Sequence, residues 1–356
     1  MTIDSVLLSD QVFQLNTFLW ALQELPEGGT TDPVLRRAGY YPRAIERTVL
    51  VPNEESIIAA LANLLGGTDR SPTRPDLWLS HSSDSTDIVV ELKSRGFSAN
   101  SSDRRQALKI IASAADLAPS LGGQSKQSKR LGHVIYATVA SDARALSNAL
   151  HRLSNMLKSQ KIVTAPTSVI EFLMEEDGVA LMSLTPRDLP KPAADVLSSP
   201  AIVLKLDGEN DLQPLYFVPW IPGIQKSQNA ELSSAGLAEL TARVLSHALA
   251  KIGQANAPRR VVLDGFQLLD AATFGVFEYW RSPERKQFGK TVAEILMKAL
   301  TSIVEVVRLN NHTIEVDLPE SVDRDRVIDR LEQADPFDPA SNLETAEQLT
   351  LDLGVT

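Results

Sequence analysis

Cysteine is missing from all 356 residues, which excludes disulfides and thiolate metal sites and fits a reducing cytosol. No uninterrupted apolar run approaches the roughly 18 residues of a membrane helix, so no span is expected. The opening stretch MTIDSVLLSDQVFQLNTFLWALQEL scatters acidic and polar residues through its apolar positions and lacks a basic leader, which argues against a secretory signal. A cytoplasmic location is therefore expected. Positive charge is in deficit: 35 basic residues face 45 acidic ones, for a net charge of −10, so any contact with nucleic acid needs a local basic patch. There is no phosphate-binding G-x-x-x-x-G-K-[ST] loop, and the five histidines show no HExxH or paired-ligand spacing. No internal repeat is present. What remains is a chain with 43% hydrophobic residues, enough to build one large or two ordinary globular cores.

Residues 5–25 carry apolar positions at near-helical spacing and end in a Pro-Glu-Gly-Gly breaker, which predicts an amphipathic helix. PNEESIIAALANLLGG supplies start and stop signals for a second helix. Short strands are expected at 77–80 and 87–93, then a helix at 103–118, the strand HVIYATVA and the helix DARALSNALHRLSNMLKSQ. RTVLV at 47–51 also reads as a strand, and precedes the second helix. From about residue 160 the pattern changes to SVIEFLM, GVALMSL and AIVLKLD, interrupted by proline-bearing stretches. Farther on come a helix at 232–252, the strand RRVVLDG, a helix near 284–300 and VEVVRLNNHTIEVDL, whose Asn310-Asn311 suits a tight hairpin turn. These signals divide the chain into an N-terminal helical segment (1–44), a core (45–162), a second mixed α/β domain (163–334) and a flexible acidic tail (335–356).

The chemistry concentrates in RPDLWLSHSSDSTDIVVELKSRGF. Side chains alternate along a strand, so Asp87, Val89, Glu91 and Lys93 point one way while Ile88, Val90 and Leu92 form a buried aliphatic face. If the preceding strand pairs with this one, Asp76 joins Glu91 and Lys93. Two carboxylates can hold Mg²⁺ with room for water and a phosphate oxygen, while the ammonium orients or helps deprotonate that water or stabilises the phosphate.

Pro75-Asp76 followed by Glu91-Leu92-Lys93, between a preceding and a following helix, resembles the PD-(D/E)xK nuclease superfamily of restriction-endonuclease-like fold. The resemblance covers roughly residues 45–160. It implies a mixed α/β protein built on an αβββαβ core, with Asp76 and Glu91 binding Mg²⁺ or Mn²⁺, the Leu92 carbonyl as a further ligand, and Lys93 assisting the nucleophile. A glutamate on the helix before the first strand, Glu54 or Glu55, would complete the metal site. Gln106 stands where RecB-like members carry a catalytic glutamine, although Ile110 replaces their tyrosine four residues later.

Between Lys93 and Arg130 basic residues outnumber acidic ones, and Arg95, Arg104, Arg105 and Lys109 are the candidates for a DNA backbone to rest on. QLTLDL near the C-terminus resembles the bacterial sliding-clamp-binding motif, with Gln348, Leu349, Leu351 and Leu353 as the hook. The expected function is a Mg²⁺-dependent nuclease of DNA in restriction, phage defence or repair, working with a protein partner such as a helicase, another ATPase or a defence subunit. The alternative is a non-catalytic adaptor that keeps the nuclease fold and binds a machine such as the clamp.

Overall fold

The computed structural model describes residues 5–25, 30–45, 55–67, 71, 73–83, 86–97, 102–115, 131–206, 216–218, 230–254, 260–280, 285–286, 289–290, 292–294, 296–297 and 306–317. The chain is mixed α/β and divides into two compact units, Met1–Pro214 and Leu215–Thr356.

In the first unit the elements run α1 (Ser5–Leu8), α2 (Gln11–Leu22), α3 (Val34–Arg37), β1 (Tyr40–Ile45), α4 (Glu55–Leu65), β2 (Leu77–His81), β3 (Thr86–Leu92), α5 (Ser102–Ala114), β4 (Leu131–Val139), α6 (Ala140–Ser159), β5 (Thr167–Glu175), β6 (Gly178–Ser183), α7 (Lys191–Leu197) and β7 (Ala201–Lys205). All seven strands form one sheet in chain order. β3, β4 and β5 are parallel, joined through α5 and α6, and the outer pairs are antiparallel. The division at Pro214 corrects the boundary expected near residue 162: SVIEFLM, GVALMSL and AIVLKLD are β5, β6 and β7 of the same sheet, not the start of another domain. Helix α6 brings β5 back alongside β4, so hydrogen bonding continues across the expected break.

The N-terminal segment is also no appendage. Asp10 caps α2 by accepting from the Phe13 amide at 2.9 Å. From Val12 to Leu22 every side chain is buried, including Gln14, Asn16 and Thr17. The helix touches β3 in the middle of the sheet and both edge strands, β1 and β7, so the sheet curves around it. A helix buried on all sides belongs inside a fold, which corrects the expectation of an amphipathic helix with a solvated face. Residues 40–45 supply the first described strand; RTVLV lies outside the described residues.

On the opposite face, Trp78, Val89, Val134, Tyr136 and Val169 of the sheet pack against Ala107, Leu108 and Ile111 of α5 and Leu146, Leu150 and Leu153 of α6. Full burial of each large aliphatic side chain contributes about 1.5–3 kcal/mol. With helices on both faces, β3 has no solvated side, contrary to the simple alternation expected of a hairpin.

The second unit contains α8 (Ala230–Gln254), β8 (Arg260–Asp264), α9 (Gly265–Ala272), β9 (Val306–Asn310) and β10 (Thr313–Asp317). Its antiparallel sheet has the order β8-β10-β9. The expected hairpin forms with its turn one residue later, at Asn311-His312, because Asn310 pairs with Thr313 and Asn311 takes the left-handed conformation at φ 54°. Asp264 caps α9 through the amides of Phe266 and Gln267. Among the described residues no helix is long and apolar enough to cross a membrane.

Candidate active site

Antiparallel pairing of β2 with β3 places Asp76, just before β2, beside Leu92 at the end of β3. The Leu92 amide donates to Asp76 Oδ2 at 2.6 Å. This short bond fixes the carboxylate across the strand ends. Glu91 and Lys93 project from the same face of β3, and Lys93 Nζ lies 3.0 Å from Glu91 Oε1. Helix α5 closes the group: Asp103 in its first turn pairs with Lys93 Nζ at 3.0 Å, and Gln106, one turn on, accepts from it at 3.4 Å. The spacing from Asp103 to Gln106 puts both on one face of the helix. Asp76, Glu91 and Lys93 are all buried.

Three carboxylates therefore surround one ammonium, and the surplus negative charge shapes the titration. Burial first, then the charge of Asp76, raises the Glu91 pKa to about 8, with Lys93 pulling the other way. Burial raises Asp76 to about 6 against the Leu92 hydrogen bond and the Lys93 charge. Burial alone would lower Lys93, but Glu91 and Asp103 outweigh it and hold the ammonium above its ordinary range. Lys93 is thus a fixed positive charge. Glu91 Oε2 is buried and has no hydrogen-bond partner. A bare carboxylate oxygen in an electronegative pocket is a place for a proton or a cation.

Asp76, Glu91, Lys93 and Gln106 come together as expected. Glu55 does not: it is exposed in the first turn of α4, and Glu54 lies outside the described residues. The Leu92 carbonyl accepts from Gln11 Nε2 at 3.0 Å, so α2 already engages this expected ligand. Among the described residues no group of three or more His, Cys, Asp or Glu side chains is arranged to hold a metal ion. Asp76 and Glu91 fit Mg²⁺ as a two-carboxylate pair, the donor set of a cation that keeps several waters.

The expected basic surface is only partly there. Arg95 and Arg105 are exposed. Lys109 is corrected: it is 3% exposed, with Nζ donating to the carbonyl and hydroxyl oxygens of Ser71 at 3.0 and 2.7 Å. Arg104 donates to the Leu64 carbonyl at 3.3 Å, at the end of α4, where a cation meets the negative pole of the helix. Arg104 meets the end of α4, on which α5 packs, and Lys109 meets Ser71, neither of which the charge count could reveal. Residues 348–353 lie outside the described residues.

Sequence reasoning missed Asp103, treating it only as an acidic residue in a basic segment, although its i, i+3 spacing from Gln106 was a readable signal. It also missed Gln11 and Gln14. Gln14 Nε2 donates to the carbonyls of Leu8 at 2.9 Å and Lys93 at 3.2 Å, so two carboxamides of α2 hold the backbone where β3 ends. No local pattern announces that contact. No family model, curated protein or solved structure matches the chain.

Proposed function

We propose that this chain is a metal-dependent nuclease of restriction-endonuclease-like fold that hydrolyses DNA phosphodiester bonds in a restriction, phage-defence or repair setting, together with a protein partner. The observation that carries the reading is the bare, buried Glu91 Oε2 beside a second buried carboxylate, Asp76, and a locked ammonium, Lys93. The order α2-β1-β2-β3-α5-β4, with α4 inserted between β1 and β2 and with β3 parallel to β4, supports it as a version of the αβββαβ arrangement.

In this reading Asp76 and Glu91 hold Mg²⁺, which when bound makes water a stronger nucleophile at neutral pH and offsets charge on the phosphate. Asp76 is oriented by the Leu92 amide, which donates to its Oδ2. Lys93, held by Glu91, Asp103 and Gln106, presents positive charge to the phosphate without exchanging a proton. Gln106 limits the rotation of that ammonium. Arg95 and Arg105 offer backbone contacts of the sequence-independent kind.

The test is cleavage of linear, circular and single-stranded DNA with Mg²⁺ or Mn²⁺ by the wild type and Lys93→Ala. Metal-dependent cutting that falls by about 10²–10⁴ in the variant is expected. Equal cutting by both sinks the site.

A second reading, a non-catalytic adaptor that keeps the fold, is favoured by specific features. Asp76 and the Leu92 carbonyl are already engaged inside the protein, and no third ligating side chain joins the carboxylates among the described residues. It predicts no cleavage under any metal and association with a protein machine that depends on residues 348–353.

A further inference from the structure

β4 stands beside β3 with its side chains in register, and Tyr136 is the residue opposite Glu91. In-register residues of adjacent strands share a face, so the tyrosine ring lies next to the glutamate side chain. Tyr136 is 0% exposed, and its ring meets Phe97 edge-on at 5.9 Å. The ring is thus accounted for as core. The hydroxyl is not: Tyr136 Oη, like Glu91 Oε2, is buried without a hydrogen-bond partner.

A buried hydroxyl with no partner is destabilising, and the same ring without the hydroxyl is available as phenylalanine. Two such defects beside one another, one a donor and the other an acceptor, have a common remedy. A single oxygen atom that accepts from Tyr136 and donates to Glu91 satisfies both, and a buried water typically makes such bonds. A phenol keeps its proton at neutral pH and can donate it in a hydrogen bond.

We propose that Tyr136 is a positioning residue for Glu91, its hydroxyl and Glu91 Oε2 sharing one oxygen atom as a common hydrogen-bond partner, so that the carboxylate is held ready for a divalent cation. This rests on the metal-binding reading given above and adds a residue to it. Tyr136 acts through Glu91. The shared oxygen takes one lone pair of Glu91 Oε2 and leaves the other to the cation, and the packing of the ring on Phe97 keeps the hydroxyl in place.

The test is Mg²⁺ binding by titration calorimetry to the full chain, wild type against Tyr136→Phe, with the melting temperature of each protein measured without metal. The expected result is Mg²⁺ affinity lowered about tenfold in the variant, the size of one hydrogen bond to a charged group, with a melting temperature unchanged or raised. A merely structural tyrosine gives the opposite pair, unchanged affinity and lowered stability, and that outcome overturns the inference. If the wild type binds no Mg²⁺, the metal reading falls and the inference with it; binding by the wild type with equal affinity in the variant removes the inference alone. If the variant does not fold, the wild type decides through its ultraviolet difference spectrum on adding Mg²⁺. A tyrosine perturbation is expected, and a flat tyrosine region overturns the proposal.

Discussion

Asp87 and Glu91 lie four residues apart on the same face of β3, at 1% and 3% exposure, yet their surroundings are opposite. Asp87 accepts from Ser80 Oγ at 2.6 Å and pairs with Arg43 at 3.5 Å, while Arg43 lies over the Trp78 ring. Glu91 has one oxygen on Lys93 and the other bare, with Asp76 and Asp103 as like-charged neighbours. Burial of a carboxylate therefore says little about its task; the balance of its partners says more. Position in the sheet fits the contrast. Asp87 is near the start of β3, whereas Glu91 is at the end, where the parallel strands β3 and β4 both finish and where open parallel sheets generally place their sites.

The largest effect should come from comparing the two acids in a cleavage assay. Glu91→Ala is expected to lower metal-dependent DNA cleavage by about 10²–10⁴, and Asp87→Ala to leave the rate of the folded fraction within a few-fold. Loss of activity in both, with folding intact, would erase the distinction. Stability should show the reverse ranking. Asp87→Ala strands Ser80 and Arg43 and is expected to be destabilising by about 1–3 kcal/mol in urea unfolding, while Glu91→Gln, which removes a buried charge, should be neutral or stabilising at pH 8.

A smaller effect is a dependence of stability on pH. The folded pKa values of Asp76 and Glu91, about 6 and about 8, stand above the ordinary 3.8 and 4.5, so the folded state holds more protons than the unfolded one in that window. Their contribution to stability is then complete below the unfolded values and is lost as pH rises through about 6 and about 8. The metal-free melting temperature should fall across pH 5 to 8.5, by about 2–4 °C for each kcal/mol lost. Glu91→Gln should flatten that slope. Saturating Mg²⁺ should restore the wild type more at pH 8 than at pH 5.5, and equal restoration at both would break the link between the bare oxygen and the cation.

Much of this arrangement was legible beforehand, and the limits follow a pattern. Alternation along TDIVVEL and the Ser/Asp-rich turn before it led to the β2–β3 pair, so Asp76, Glu91 and Lys93 could be brought together on paper. Gln106 was named on the resemblance to RecB-like members. What stayed hidden depends on register or on packing between distant segments. Tyr136 meets Glu91 only because β4 pairs with β3 at one particular offset. Lys109 and Arg104 looked like a DNA surface because charge was counted without knowing that Lys109 meets Ser71 and Arg104 the end of α4.

The sequence by itself settled the mixed α/β class, the position of most helices and strands in the first unit, and which residue types gather at the strand end, because caps, turns and period-two or helical spacing are local properties. Tertiary structure alone decided that α2 is the inner core of a curved sheet, that the sheet continues to β7, and that one carboxylate is neutralised while its neighbour is left bare. Those outcomes depend on which distant surfaces meet, and contact between segments far apart in the chain leaves no periodic trace in either one.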